Sequence, residues 1–293
     1  MYMRRLGMLG VVCSVLLVMV AAALAQQPGP TVYRTALYMR VPADKESDYL
    51  EFVRTNTRKM IQLRMESGGV LSWALLKLVY EGSPALDYNY VATTLYAGPP
   101  TDLTEAERDQ LFRRATGASY QEYQQKIAGL RTSVGSMLGS VQAFVPGTEM
   151  REGNYVSLSR WKIQPQQGAA YSDYLQTMLL PLQIQNFKDG HHVGWTAGRL
   201  MYPGGGDAPF DVTIATVHKD LASAVTIPSP DEMAARFAKA HPDKSYDTFM
   251  DHGRAVRRLV RTELLKVMIA DQASEQTSST PDRRTPGAIA GTP

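Results

Sequence analysis

An α+β fold built from two tandem βαββαβ units is predicted for most of residues 30–270, on three observations. The chain repeats itself at a spacing of 122 to 126 residues. Each repeat alternates period-2 apolar runs with runs of helical period. Glycine- and proline-rich joints fall between those runs at matching places.

The repeat is read from its anchors. Tyr33 and Tyr155, Trp73 and Trp195, and the triplets Tyr88-Asn89-Tyr90 and Phe210-Asp211-Val212 all stand 122 apart. Asp48-Tyr49-Leu50 matches Asp173-Tyr174-Leu175 at 125, which predicts a three-residue insertion before the second helix, undone after it. Thr104 with Glu107 and Ser229 with Glu232 form S/T-x-x-E capping patterns at a spacing of 125, the second with Pro230 in the first helical position. Ser119-Tyr120 matches Ser245-Tyr246, and Arg131 matches Arg257, both at 126.

In order along each unit, a strand comes first, Tyr33–Val41 and Tyr155–Ile163, alternating in polarity and ending before Pro42 and Pro165. A helix follows, with Tyr49, Val53, Met60 and Leu63 on one face in the first unit and Tyr171, Leu175, Met178 and Leu182 in the second. Pro181 is expected to kink or end the second of these. Gly68-Gly69 and Gly190 mark the exits. Two hairpins come next, Val70–Tyr80 with Tyr88–Tyr96 and Val193–Tyr202 with Phe210–His218, joined by Gly82-Ser83-Pro84 and Pro203-Gly204-Gly205-Gly206. Two helices then begin near Thr104 and Ser119, and near Ser229 and Ser245. A short strand closes each unit, Val141–Val145 and Leu265–Ile269. Arg131 and Arg257 are read as equivalent helix positions, with carbonyl capping as their role.

This β-α-β-β-α-β order is the ferredoxin-like split unit, with the second helical stretch enlarged. One sheet face is covered by helices, and two bare faces in one chain can cover each other. The element order, repeat length and doubling resemble the dimeric α+β barrel superfamily, which includes antibiotic-biosynthesis monooxygenases, EthD-like and NIPSNAP-like proteins, chlorite-dismutase-like proteins and dye-decolourising peroxidases. The resemblance implies an intramolecular dimeric α+β barrel, a monomer with an internal pseudo-dimer. It also implies a pocket between sheet and helices, or inside the barrel, for a small aromatic or haem-like ligand. The domain reading is a signal peptide over 1–25, a first barrel unit over 30–148, a second over 152–270 and a disordered tail over 271–293.

Arg4 and Arg5, the apolar run Leu6–Leu24 and the Ala23-Leu24-Ala25 signature read as an export signal cleaved near Ala25, and so as a periplasmic or secreted protein. An uncleaved anchor is the alternative reading. Cys13, inside that run, is the single cysteine, so the mature chain has neither disulfide nor thiolate chemistry. The formal charge of +3 includes Arg4 and Arg5, and no basic tract carries interleaved aromatics; nucleic acid is not an expected partner. After signal cleavage no further membrane segment is expected. The tail beyond Asp271 is rich in Ser, Thr, Pro and Gly.

All five histidines, His191, His192, His218, His241 and His252, fall in the second unit. His192 and His218 are the candidate catalytic bases; a polar turn and a strand-end surface site are the bland readings. The candidate ligand-binding residues are Tyr38, Arg40, Lys77, Tyr96, Arg160, Lys162, His191, Trp195 and Arg199. Arg34, Tyr38 and Arg40 share a strand face, as do Arg160 and Lys162, and such residues can ring an anionic or aromatic molecule, Arg gripping a carboxylate with two donors. Ion pairs with helix carboxylates at the sheet edge are the alternative. His218 is placed on the face of Val212, Ile214 and Thr216, aimed at the barrel mouth. No spacing supports a metal site, no cofactor is expected, and haem, which the resemblance admits, meets no matching histidine motif. The leading reading is a binding module for a small molecule. A cofactor-independent monooxygenase- or lyase-type enzyme, and a structural component of an exported complex, stand as alternatives.

Overall fold

Alternation of apolar and polar residues makes Tyr33–Arg40 the first strand, β1. The computed structural model describes residues 31–80 and 87–273. The export signal with Cys13, the Gly82-Ser83-Pro84 joint and the segment after residue 273 therefore lie outside the described residues.

After a 3-10 turn at Ala43–Lys45, helix α1 runs as Glu46–Phe52, a π-helical stretch Val53–Thr57, and Arg58–Glu66. Gly68, at φ 76°, turns the chain out. Strands β2 (Ser72–Tyr80) and β3 (Tyr90–Tyr96) follow, then α2 (Glu105–Thr116), α3 (Tyr120–Ala128) and β4 (Thr132–Phe144). Thr104 and Ser119 close full capping boxes with Glu107 and Glu122.

The second half repeats the order. It has β5 (Tyr155–Ile163), then α4 as Gly168–Tyr174, π-helical Leu175–Leu179 and Leu180–Lys188. Next come β6 (Gly194–Tyr202), β7 (Val212–His218), a short unexpected helix α5 (Leu221–Val225), α6 (Pro230–Ala240), α7 (Tyr246–Val256) and β8 (Arg257–Gln272). Asp220 caps α5 through Ser223, a signal present in the sequence but too short to stand out.

Several expectations change. All three segments of α1 and α4 stand 122 residues apart, so no insertion precedes α4, and Tyr171 takes the place of Tyr49. Both tyrosines are buried. Helix α4 continues through Pro181, which follows directly on the π turn. A widened turn already departs from the regular ladder there, so the missing N–H costs less than in a regular helix.

The closing strands are not short: β4 has 13 residues and β8 has 16. Only their inner stretches are apolar enough to be read as strands, while Thr132–Ser136 and Arg257–Thr262 are polar or exposed. Arg131 sits between α3 and β4, and Arg257 opens β8, so neither is on a helix.

Length matters because β4 and β8 each pair with both halves. All ladders are antiparallel and the sheet closes as β1-β3-β2-β8-β5-β7-β6-β4. Within each half the order is β4-β1-β3-β2 and β8-β5-β7-β6, and the β2·β8 and β4·β6 ladders join the halves. Closure removes every free edge.

Three apolar clusters fill the structure. One lies between α1–α3 and the first half of the sheet, one between α4, α6, α7 and the second half, and the third lines the lumen. Among the described residues no helix is long and apolar enough to cross a membrane.

Candidate functional site

Strand parity sorts the side chains into two places. On β1, Thr35, Leu37 and Met39 face the helices, whereas Arg34, Ala36 and Tyr38 face the lumen.

The first place is a cleft of about 660 Å³ between the first half of the sheet and helices α1 and α3. Its walls are mostly apolar and aromatic, including Met39, Tyr49, Met60, Trp73 and Tyr123. Its polar groups are Arg131 and the hydroxyls of Thr35, Thr57 and Ser136. The β4·β6 ladder sets Leu138 opposite Tyr202, which carries Tyr202 and Pro203 of the second half onto the rim. Thr57 and Tyr123 share a hydrogen bond of 2.8 Å. Burial pushes the Tyr49 and Tyr123 hydroxyls up, so both stay protonated at neutral pH. The size falls within the range of small-molecule sites.

The cleft exists because four wall residues are smaller than their second-half counterparts. Met39, Val53, Thr57 and Ala92 stand where β5, α4 and β7 carry Trp161, Leu175, Leu179 and Ile214, each 122 residues on. Arg257, the counterpart of Arg131, lies 4.0 Å over the Trp161 ring and 5.1 Å from that of Tyr174. That is cation–π packing, in place of the carbonyl capping expected of it.

The second place is the lumen. Arg160 is 1% exposed and Glu263 is 0% exposed. Arg160 donates from Nε to Glu263 Oε1 at 3.0 Å and from Nη2 to Oε2 at 3.1 Å. It also donates to the hydroxyls of Tyr38 and Tyr88, each at 3.0 Å. Tyr88 donates to Glu263 at 2.8 Å, and Arg261 Nε lies 2.6 Å from Glu263 Oε1. Buried charges such as Arg160 and Glu263 persist because they are paired and hydrogen-bonded. Glu263, Tyr88 and Arg261 were not singled out by sequence; counting back by twos from Leu265 along β8 reaches Glu263 and Arg261.

The remaining sequence candidates scatter. Lys77 faces the helices and pairs with Glu46, to which Tyr90 also donates. Arg199 is exposed at the same parity as Trp195, on the helix side of β6. These two therefore do not share a ring with Arg160 or Tyr38, because they share parity with the core tryptophans and not with the lumen. Arg40, exposed at the end of β1, donates to the Asp87 carbonyl at 2.8 Å. Lys162 approaches Asp211 at 3.5 Å. Tyr96 is buried under Arg64, and Trp195 is packed in the second-half core.

The histidines do not line the cleft or the lumen cavity. His192 is buried against Phe187, and burial, with His218 nearby, holds its pKa down at about 4. Its two ring nitrogens and His218 Nδ1 are buried without a hydrogen-bond partner. His218 shares 3.2 Å with Ser157 and faces the helix side of β7 with Val212 and Ile214, not the lumen, which takes Thr213, Ala215 and Val217. Burial lowers His218 and the half-exposed His191 as well.

Haem does not fit the cleft by the usual ligands: no histidine lines it, and its two buried tyrosines are held protonated. Among the described residues there is no group of three or more His, Cys, Asp or Glu that could hold a metal ion.

No protein-family model matches the chain, and no curated protein matches it. Among solved structures it is similar to a candidate monooxygenase from Fusobacterium nucleatum subsp. nucleatum, at 13% identity and a TM-score of 0.51, over 83% of this chain and 95% of that one. An anthrone oxidase-like protein also matches, at 12% identity and a TM-score of 0.47, over 84% of this chain and 95% of the other. A candidate monooxygenase from Lactobacillus acidophilus matches at 9% identity and a TM-score of 0.46, over 84% and 100%. At these identities the likeness is one of fold, a closed eight-stranded antiparallel barrel with outer helices, consistent with the barrel expected from the sequence.

Proposed function

We propose that this protein binds a small aromatic or anionic molecule in the cleft of its first half. The observation that carries the reading is the cleft itself, about 660 Å³ of apolar and aromatic wall with one guanidinium, Arg131, on its lining. Trp73 and the two tyrosines offer ring faces, and Arg131 offers a charged fork to a carboxylate or phenolate. Arg131 has no carboxylate partner among the described residues.

The reading includes export, cleavage near Ala25 and descent from a tandem duplication of one ferredoxin-like unit. The apolar run behind Arg4 and Arg5 supports the first two, and the 122-residue spacing of matching elements supports the third. A monooxygenase-type reaction with a histidine base in the second half draws no support from the geometry, because His192 and His218 border neither cavity.

Native mass spectrometry of the protein from its own host tests the reading. Wild type is compared with Met39→Trp and Ala92→Ile, which place second-half-sized side chains in the cleft. An added small-molecule mass in wild type, lost in both variants, is expected. A bound mass that survives both substitutions overturns the cleft as its site, and a chain that never carries a ligand or binds any aromatic acid from a panel overturns binding as its function.

A further inference from the structure

The lumen holds a second cavity, of about 260 Å³, on the other side of the sheet from the cleft. Leu76, Val91, Met137, Leu158 and Val217 form much of its wall. Phe144 and Gln272, both exposed, stand on its lining at the end where β1 and β5 begin. Into this apolar space β1 sends Arg34.

Arg34 differs from the other lumen guanidiniums. Arg160 and Arg261 share Glu263. Arg34 donates to the Thr213 hydroxyl and has no carboxylate within ion-pair reach among the described residues. Asp271, which also lines the cavity, is already gripped by Arg58, with Nε at 3.0 and 2.9 Å from its two oxygens and Nη2 at 2.8 Å. Burial pulls the Arg34 pKa below its usual value, and Arg160 adds to the effect while Tyr38 opposes it.

The backbone makes room for this side chain. A Cβ on Gly198, on β6 and so one strand beyond β4, would come within 3.1 Å of Arg34 Nη2. Glycine there lets the guanidinium lie against β6 and β7 with its remaining donors free for a ligand. The cavity's lining thus carries one guanidinium, Arg34, bonded to a hydroxyl, and one carboxylate, Asp271, already held by Arg58, and a cation left in an apolar cavity is costly unless an anion joins it.

We propose that the lumen is a second binding site, for a monocarboxylate with a compact apolar body whose carboxylate pairs with Arg34. The cavity holds roughly nine water volumes, enough for a short-chain fatty acid or an arylalkanoate and too small for a nucleotide. The apolar wall selects against sugars and dianions, and the guanidinium fork selects carboxylate over amide or alcohol.

Calorimetric titration of the full chain with octanoate, 3-phenylpropanoate and benzoate, each beside its neutral amide, tests this. At least one acid is expected to bind at least tenfold more tightly than its amide. Arg34→Met is expected to erase that preference while folding normally, since it removes a partly buried cation without a carboxylate partner; a melting temperature at or above wild type checks the fold. Met39→Trp removes any binding in the cleft and is expected to leave the Arg34-dependent preference for acid over amide unchanged. The proposal fails if no acid binds wild type, if Arg34→Met keeps the wild-type preference for acid over amide, or if Met39→Trp abolishes that preference, which would move the ligand to the cleft.

Discussion

The two halves share one order of elements and part company in what they enclose. The first half leaves a cleft between its sheet and helices; the second packs the same space with Trp161, Leu175, Leu179 and Ile214. In the lumen the contrast reverses. The second half supplies Arg160 and Glu263 where the first has Tyr38 and Met137, as the ladders Ala36↔Met137 and Leu158↔Glu263 show. Matching backbones therefore do not imply matching interiors: a handful of side-chain volumes and charges decides which half opens and which carries the buried ions.

Breaking the buried pair gives the largest expected effect on stability. Glu263→Met leaves Arg160 buried and unpaired, for a loss of about 3–5 kcal/mol in urea unfolding. Adding Arg160→Met should restore much of it. A loss below about 1 kcal/mol in the single variant would mean that the lumen hydrates the charge.

Acid sharpens the contrast between the halves, because only the second has histidines. The His192 pKa is held at about 4 in the folded state, against about 6.5 when unfolded. The unfolded chain thus binds the extra proton between those values, so stability is full above about pH 6.5 and falls as pH drops toward 4. The loss reaches about 3 kcal/mol for this group. His192→Phe should flatten the difference between unfolding at pH 7 and at pH 4.5; equal slopes for wild type and variant would remove His192 from the account.

Exchanging the wall residues tests the comparison itself. Trp161→Met gives the second half the first half's side chain. It is expected to cost about 2 kcal/mol through the cavity it leaves and the lost Arg257 stacking, and to open a cleft there. Unchanged stability and unchanged uptake of an aromatic probe would show that the second half recloses. The reverse exchange, Met39→Trp, is expected to move stability by less than about 1.5 kcal/mol, since the cleft has room, while ending ligand uptake in the first half. Uptake unaffected by this change would place the ligand elsewhere.

Much of the fold was legible. Apolar runs located all eight strands, two of them only in part, the capping pairs at Thr104 and Ser229 located two helix starts within a residue, and the repeat match of Ser119 with Ser245 located two more. The helix-wide spacing of 122 was obscured because Asp48-Tyr49-Leu50 resembles Asp173-Tyr174-Leu175 by chance, and burial of Tyr49 and Tyr171 corrects the pairing. The site was read less well. The histidine asymmetry pointed to the second half, yet those imidazoles are packed away from both cavities. The informative asymmetry was one of volume, Met39 against Trp161 and Ala92 against Ile214, visible once the register is right.

The sequence by itself determined most of the element order and the alternation of the strands, since these follow from local periodicity and turn chemistry. Only the tertiary structure decided which strand face became lumen and which met the helices. Alternation separates two faces without naming them. That choice was made by barrel closure, through the long strands β4 and β8 pairing across the halves, and closure set Tyr38 and Tyr88 of the first half against Arg160 of the second, while the β5·β8 ladder within the second half set Glu263 beside it.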